Sequence, residues 1–551
     1  MVSGHRIRRV FGLAALMLIA QSPAARAASE QQSLEELRNT VINLLRALVD
    51  QGVMTREKAE QLVKQAQDKA AADAALAAKN AAETAKSEEG AVRVPYVPQI
   101  VKDEISKQVA EEVKPGVVAS VVEQAKSERW GVPGALPEWL TRVRVFGDVT
   151  VRAQGDLYSS DNSNTIFDVN AINQAGGYLK AGNAVFLDTT HDQGRFRLRA
   201  RLGVEDAISP TLTAGLRLAS GTLLDPASES QTLGAGLGRY TVGLDQAYIR
   251  WNSEPQGQFS NFSAVGGRFV SPWFTPTELV FARDVQFDGT AATVRLGFGD
   301  GSADESHVFF TAGAFPIQEI PMVNRDNKWL VAGQLGTDLR WGSDDGQHLR
   351  FAAAYYDFLR INGRLNTPDS TLLNYTAPLF VGYGNTVFNI ANSTTDSTIA
   401  LLALAARFRV ADLAASYEFN FARYSAAVVA EGVKNLAYDR AEIAALTGQT
   451  VPKSEDIGYV AELSFGDPAV LDYGKWRSRV GYRYVRADAV VDSLTDADFH
   501  GRGTNARGYY LVEELGVARN TWFRLRYLSA NEVDGLRYGY DIVQLDLNAR
   551  F

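Results

Sequence analysis

From Arg142 to Phe551, apolar and polar residues alternate in runs of about nine to thirteen, each ended by a turn or a longer polar stretch. RVRVFGDVTVRAQ (142–154) sets Val143, Val145, Val149, Val151 and Ala153 on one side. RFRLRARLGV (195–204) sets Phe196, Leu198, Ala200 and Leu202 against Arg195, Arg197, Arg199 and Arg201. The chain closes on DIVQLDLNARF (541–551), where Val543, Leu545, Leu547, Ala549 and Phe551 share one face. A period of two is the mark of a strand with one dry face and one wet face. The alternation predicts strands near 142–154, 195–204, 211–219, 243–251, 262–269, 290–298, 307–315, 328–341, 348–358, 398–410, 412–423, 458–466, 475–486, 507–517, 520–529 and 536–551. That is sixteen, with fourteen or eighteen as the neighbouring options.

A soluble sandwich would alternate too, but two features favour lipid. Several polar faces are crowded with charge, which suits a wide aqueous lumen better than a filled core. In KWLVAGQLGTDLRW (328–341), Trp329 and Trp341 stand twelve residues apart on the apolar face. Twelve steps of about 3.3 Å, tilted by about 45°, rise about 28 Å, which would set one indole at each interface of a bilayer. The expected fold class is an all-β transmembrane barrel of antiparallel strands. Connections after odd strands are mostly long and those after even strands short (EDAISP, GSDDGQ, a single Ala411). Both ends of the barrel should therefore lie on the short-turn side. If the last strand closes on the first, bilayer covers Phe551, and a terminal aromatic of this kind suits recognition by barrel-assembly machinery.

The front of the chain differs. Arg6, Arg8 and Arg9 precede the apolar run Val10–Ala20, and Ala25-Arg26-Ala27 offers a cleavage site. Eleven residues rise only about 16 Å as a helix, too little to span a bilayer, so 1–27 reads as a signal peptide. Residues 28–140 read as a periplasmic helical segment, with Leu34, Leu37, Val41, Leu44 and Leu48 forming a short coiled-coil seam. A partly helical linker is the alternative. The barrel occupies 141–551.

Composition adds constraints. The 47 Gly, 21 Tyr and 26 Phe suit β architecture, and no cysteine is present. Disulfides and thiolate metal sites are excluded. A net charge of −8 disfavours nucleic acid as a partner. The five His (5, 191, 307, 348, 500) show no metal-ligand spacing, and neither G-x-S-x-G nor H-E-x-x-H occurs. No enzyme, cofactor or metal is expected. Asp492, Asp496 and Asp498 read as solvated loop carboxylates, with Ca²⁺ ligation as the less favoured option.

The segment GGRFVSPWFTPTELVFARDVQFDG (266–289) resembles the motif of the putative porins of Gram-negative bacteria. Gly267-Arg268-Phe269, Pro272-Trp273-Phe274, Glu278-Leu279-Val280 and Asp284 to Gly289 carry the likeness, with VRVPYVPQIVKDEI (92–105) at the front. The resemblance implies an outer-membrane channel for small hydrophilic solutes, embedded in outer-membrane lipid and homo-oligomeric, with a trimer favoured. It further implies that residues 270–289 fold into the lumen as a constriction loop bearing Glu278, Asp284 and Asp288.

Facing that loop, the alternation places Arg142, Arg144, Arg152, Arg195, Arg197, Arg199, Arg201 and Arg217 on the pore wall. Arg477, Arg479 and Arg483 form a second stripe. On the lipid side each would cost about 2–4 kcal/mol near the midplane, so they must face water. Fixed positive charge in a narrow passage favours anions such as phosphate or carboxylates, unless neighbouring carboxylates neutralise it. A tether joining the outer membrane to the cell wall, with a closed barrel as anchor, is the alternative function.

Overall fold

The computed structural model describes residues 142–254, 259–298, 306–321, 326–342 and 346–551. The signal peptide at 1–27 and the helical segment expected over 28–140 lie outside the described residues. The alternating runs form β1 (Val143–Tyr158), β2 (Gln193–Ser209), β3 (Leu212–Ser220), β4 (Val242–Asn252), β5 (Phe259–Val270), β6 (Gln286–Gly297), β7 (His307–Gln318) and β8 (Lys328–Trp341). They continue as β9 (Gln347–Leu359), β10 (Phe408–Phe421), β11 (Tyr424–Asn435), β12 (Ile457–Gly466), β13 (Trp476–Val485), β14 (Ala506–Ala518), β15 (Thr521–Glu532) and β16 (Tyr540–Arg550). Each pairs antiparallel with its neighbours in sequence, and β1 pairs with β16 from Asp148↔Arg550 to Tyr158↔Tyr540. Among the described residues this is a closed barrel of sixteen long strands. Closure leaves no edge strand unpaired.

The burial pattern inverts that of a soluble protein. Val145 (59%), Phe196 (63%) and Leu335 (56%) are exposed on the outer face, whereas Gln334, Asp412, Gln544 and Asp546 are buried. Trp329 and Trp341 both stand on the outer, odd-numbered face of β8, at its two ends. Trp341 stacks on Tyr417 at 6.1 Å, and Phe419, Phe421, Phe465 and Trp476 continue the ring contacts along the short-turn rim. Near the other rim, Tyr459, Tyr484, Tyr482 and Tyr509 do the same. Phe551 extends the closing ladder: its N–H donates to Gly147 O and its carbonyl oxygen accepts from Gly147 N–H, both at 3.0 Å.

The expected count of sixteen matches, but two strands were misplaced. The run 398–410 is mostly loop: Leu402–Leu404 pairs with Val387–Asn389, and β10 begins only at Phe408. Leu402 to Ala406 are all buried, so this is a segment covered on every side. Ala411 lies inside β10, and the turn is made by Ala422 and Arg423, with Ala422 at φ 53°. The strand that 412–423 should have paired with is β11, whose YSAAVVAEGVKN breaks the simple alternation.

Short turns join the strands at one rim, and at the other lie 159–192, 221–241, 271–285, 319–327, 360–407, 436–456, 486–505 and 533–539. Several of these long connections pack against inward-facing side chains. Phe269, Phe287, Phe315 and Tyr356 from the wall meet Trp273, Leu279 and Phe281 from 271–285 in one buried cluster. Trp273 and Phe281 meet Tyr356 edge-on at 5.6 and 5.1 Å.

Candidate functional site

Residues 271–285 form an apolar loop, and wall residues hold its backbone. Gln334 of β8 accepts from Phe274 N–H at 2.8 Å and donates to Phe274 O at 2.9 Å. Glu431 of β11 accepts from the N–H of Thr277 at 3.1 Å and from its hydroxyl. A second connection, 486–505, meets the first: Thr495 Oγ1 donates to the carbonyls of Glu278 (2.9 Å) and Leu279 (2.8 Å), and Ala282 N–H donates to Leu494 O at 2.7 Å. Buried backbone groups need such partners.

Against these loops stand the arginines. Arg152 pairs with Asp546 at 2.7 Å and Asp498 at 3.1 Å. Arg197 reaches Asp498 at 3.6 Å. Arg199 and Arg201 both pair with Asp148 (3.3 and 2.7 Å) and with Asp284 (3.5 and 3.7 Å). Arg201 and Arg217 share Glu229 at 3.3 and 3.2 Å, and Arg217 also binds Asp245. Arg195 binds Asp156. In the second stripe, Arg479 lies 3.6 Å from Glu462 and 3.7 Å from Glu514, and Arg483 lies 3.5 Å from Asp496. The remaining three stand at the short-turn end: Arg142 donates to Ile208 O, Arg144 is exposed beside Glu205, and Arg477 donates to the carbonyls of Asp467 and Pro468.

Between the loops and the wall lies a cavity of about 140 Å³. Arg152, Arg199, Arg283, Arg479, Arg483, Arg524 and Arg526 line it, with Glu278, Asp284, Glu462, Asp496 and Asp498. Seven guanidiniums face five carboxylates, an excess of two positive charges. Glu278 sits 3.8 Å from Arg283, whose side chain is mostly exposed.

Burial pushes the Asp498 carboxyl up, but Arg152, Arg526 and Arg197 outweigh it and hold the group well below the usual carboxylate range. Asp496 is raised, by burial first and then by Glu278, against Arg483 and Arg526. Glu229 is pushed up to about 8 by burial and Asp284.

Two expectations fail here. Asp288 is not on the loop: it lies within β6, on the face opposite the buried Phe287, and pairs with Arg268 at 2.8 Å. The loop ends one turn earlier than expected, and alternation then turns Asp288 away from the cluster. Asp492 and Asp496 are buried, and Asp498 is gripped by three arginines, so none is a solvated loop carboxylate. Among the described residues no group of His, Asp and Glu could hold a metal ion.

Sequence reasoning missed Arg524, Arg526, Arg283 and the packing of 486–505 against the first loop. The first two were legible, since NTWFRLRYLS alternates and sets both arginines on its polar side. The loop carried the same warning as 271–285, with Val490, Val491, Leu494 and Phe499 apolar in a connection that should be wet.

Residues 38–551 match the family described as "Putative porin". None of the curated protein sequences matches. Among solved structures, the chain is similar to the outer membrane channel DcaP of Acinetobacter baumannii at 11% identity, covering 74% of this chain and 97% of that one, with a TM-score of 0.38. It is also similar to OprB of Pseudomonas putida at 12% identity, covering 77% and 97%, with a TM-score of 0.42. OmpF of Salmonella typhi, in complex with daunomycin, is 12% identical, with 74% and 97% covered and a TM-score of 0.38.

Proposed function

Because the chain belongs to the putative porin family, and is thus an outer-membrane channel and not an enzyme, we propose that it passes small hydrophilic solutes with a weak preference for anions. The passage narrows where 271–285 and 486–505 meet the arginine wall. One observation carries the preference: the cavity there is lined by two more guanidiniums than carboxylates. The excess, not the number of arginines, sets the sign, since most of them already have a carboxylate partner. Each ion pair leaves little net field at a distance, so the preference is modest.

Reversal potentials in a salt gradient across a planar bilayer test it. Wild-type protein should favour chloride over potassium by a small factor. Arg283 is the residue to change, because its side chain is largely exposed and its loss leaves the packing alone. Arg283→Glu moves the count from seven against five to six against six. It should bring the reversal potential close to zero. A wild-type channel that favours cations would reject the anion preference while leaving the channel intact.

A further inference from the structure

A second recess, separate from the charged cavity, opens at the long-loop mouth. It has a volume of about 210 Å³ and is built from strand ends and three connections. Leu224, Ile317, Phe358, Leu379, Phe380 and Leu494 supply its apolar wall, and Lys328 supplies its one cation. Leu379 (68%) and Leu224 (57%) stand exposed there. Apolar side chains gathered around a concave recess form the kind of surface that ligand-binding grooves present.

Lys328 opens β8 on its inward face and is only 3% exposed. An ammonium has three N–H groups. Two reach backbone carbonyls, Thr376 O at 3.3 Å and Ala377 O at 3.0 Å. Among the described residues no carboxylate pairs with it. An enclosed ammonium without a counter-charge is unfavourable by several kcal/mol, and an anion brought to it recovers that energy.

We propose that this recess binds a small aromatic monocarboxylate, its ring against Phe358, Leu379 and Phe380 and its carboxylate on the Lys328 ammonium. The size fits: an apolar cavity of about 150 Å³ takes benzene, so the larger recess has room for a ring and a carboxylate. The charge fits as well. One cation in a wall whose only other polar side chains, Gln318 and Ser493, are uncharged balances one negative charge, and a dianion such as phosphate would leave half its charge unpaired there. The site rests on the channel reading only in that its mouth opens on the solute path.

Binding is read by fluorine NMR on the full chain in lipid nanodiscs, with 4-fluorobenzoate as probe. 4-Fluorobenzylamine carries the ring with the opposite charge, and fluoroacetate carries the charge without the ring. The expected result is saturable broadening of 4-fluorobenzoate alone. Lys328→Met and Leu379→Asp should each weaken it by about tenfold or more. A lysine that merely pins the 374–377 turn would show no preference for the acid over the amine. Equal binding of both, no saturable binding, or full affinity in Lys328→Met would each overturn the proposal. If Lys328→Met fails to fold, Leu379→Asp and the probe series decide, since Leu379 is mostly exposed. Conductance of the same preparation is recorded apart: protein that conducts without binding loses this site only, and protein that binds without conducting loses the channel reading only.

Discussion

Gln334 makes one side chain answer for one loop. Its amide caps both the N–H and the carbonyl of Phe274, and it is itself 1% exposed. Gln334→Leu keeps the volume and strands both backbone groups, at about 1–3 kcal/mol for each buried group left unpaired. Hydrogen exchange at the Phe274 amide should quicken markedly while barrel strands stay protected; unchanged protection would show the apolar cluster alone seats the loop. Residues of this kind are hard to see in a sequence. Gln334 occupies a polar position of an alternating strand, and nothing local says which backbone it will meet. The arginines were legible because alternation alone assigns their face. Asp288 was misjudged for the complementary reason: β6 begins at Gln286, four residues before the expected start, so a residue read as loop belongs to a strand and alternation fixes its face.

At the scale of elements, the connections 360–407 and 486–505 share a seam of buried acids. Asp488 accepts from Thr386 N–H at 2.9 Å and its hydroxyl at 2.7 Å, and Asp492 accepts from Gly382 N–H at 3.0 Å. Burial pushes Asp488 up to about 7 and Asp492 up to about 6, in spite of those bonds. A carboxyl raised on packing binds its proton more tightly in the closed seam than in the open one. Its contribution to stability is therefore present in acid and lost as pH rises towards the folded value. His500 acts oppositely, since burial lowers it to about 4, but its contribution changes only between that value and its ordinary 6.5. Above that window the carboxyls act alone. From pH 6.5 to pH 8, exchange at the Thr386 amide should rise roughly three- to fivefold beyond its intrinsic base catalysis. Asp488→Asn should flatten the rise, and a flat wild-type ratio would refute the account. This seam was not legible, because its partners stand about a hundred residues apart on connections without periodicity. The misplaced strand at 398–410 has the same origin. A loop buried on all sides imitates the apolar run of a strand, and here it hid β11 while leaving the total unchanged.

At the scale of the whole barrel, the described strands form an inverted solid, wet wall inward and dry wall outward, and alternation was enough to foresee that. The joint between β1 and β16 is its most exacting point. A Cβ added at Gly147 would lie 2.5 Å from Arg201 O and 2.6 Å from the Phe551 ring. Gly147→Leu should lower stability by about 1–3 kcal/mol through overpacking, seen as a lower temperature for loss of the compact, heat-modifiable band on a gel. A variant as heat-resistant as wild type would mean the joint yields freely. Deleting Phe551 removes the two backbone bonds to Gly147 and should reduce the folded fraction recovered from membranes. The hydrogen bond from Thr150 to Asn548 spans 398 residues of sequence. Until β16 is in place, therefore, both margins of the growing curtain stay unzipped, and hydrocarbon tolerates neither. A copy cut short before β16 would forfeit not one sixteenth of the cylinder but its right to enter the bilayer at all.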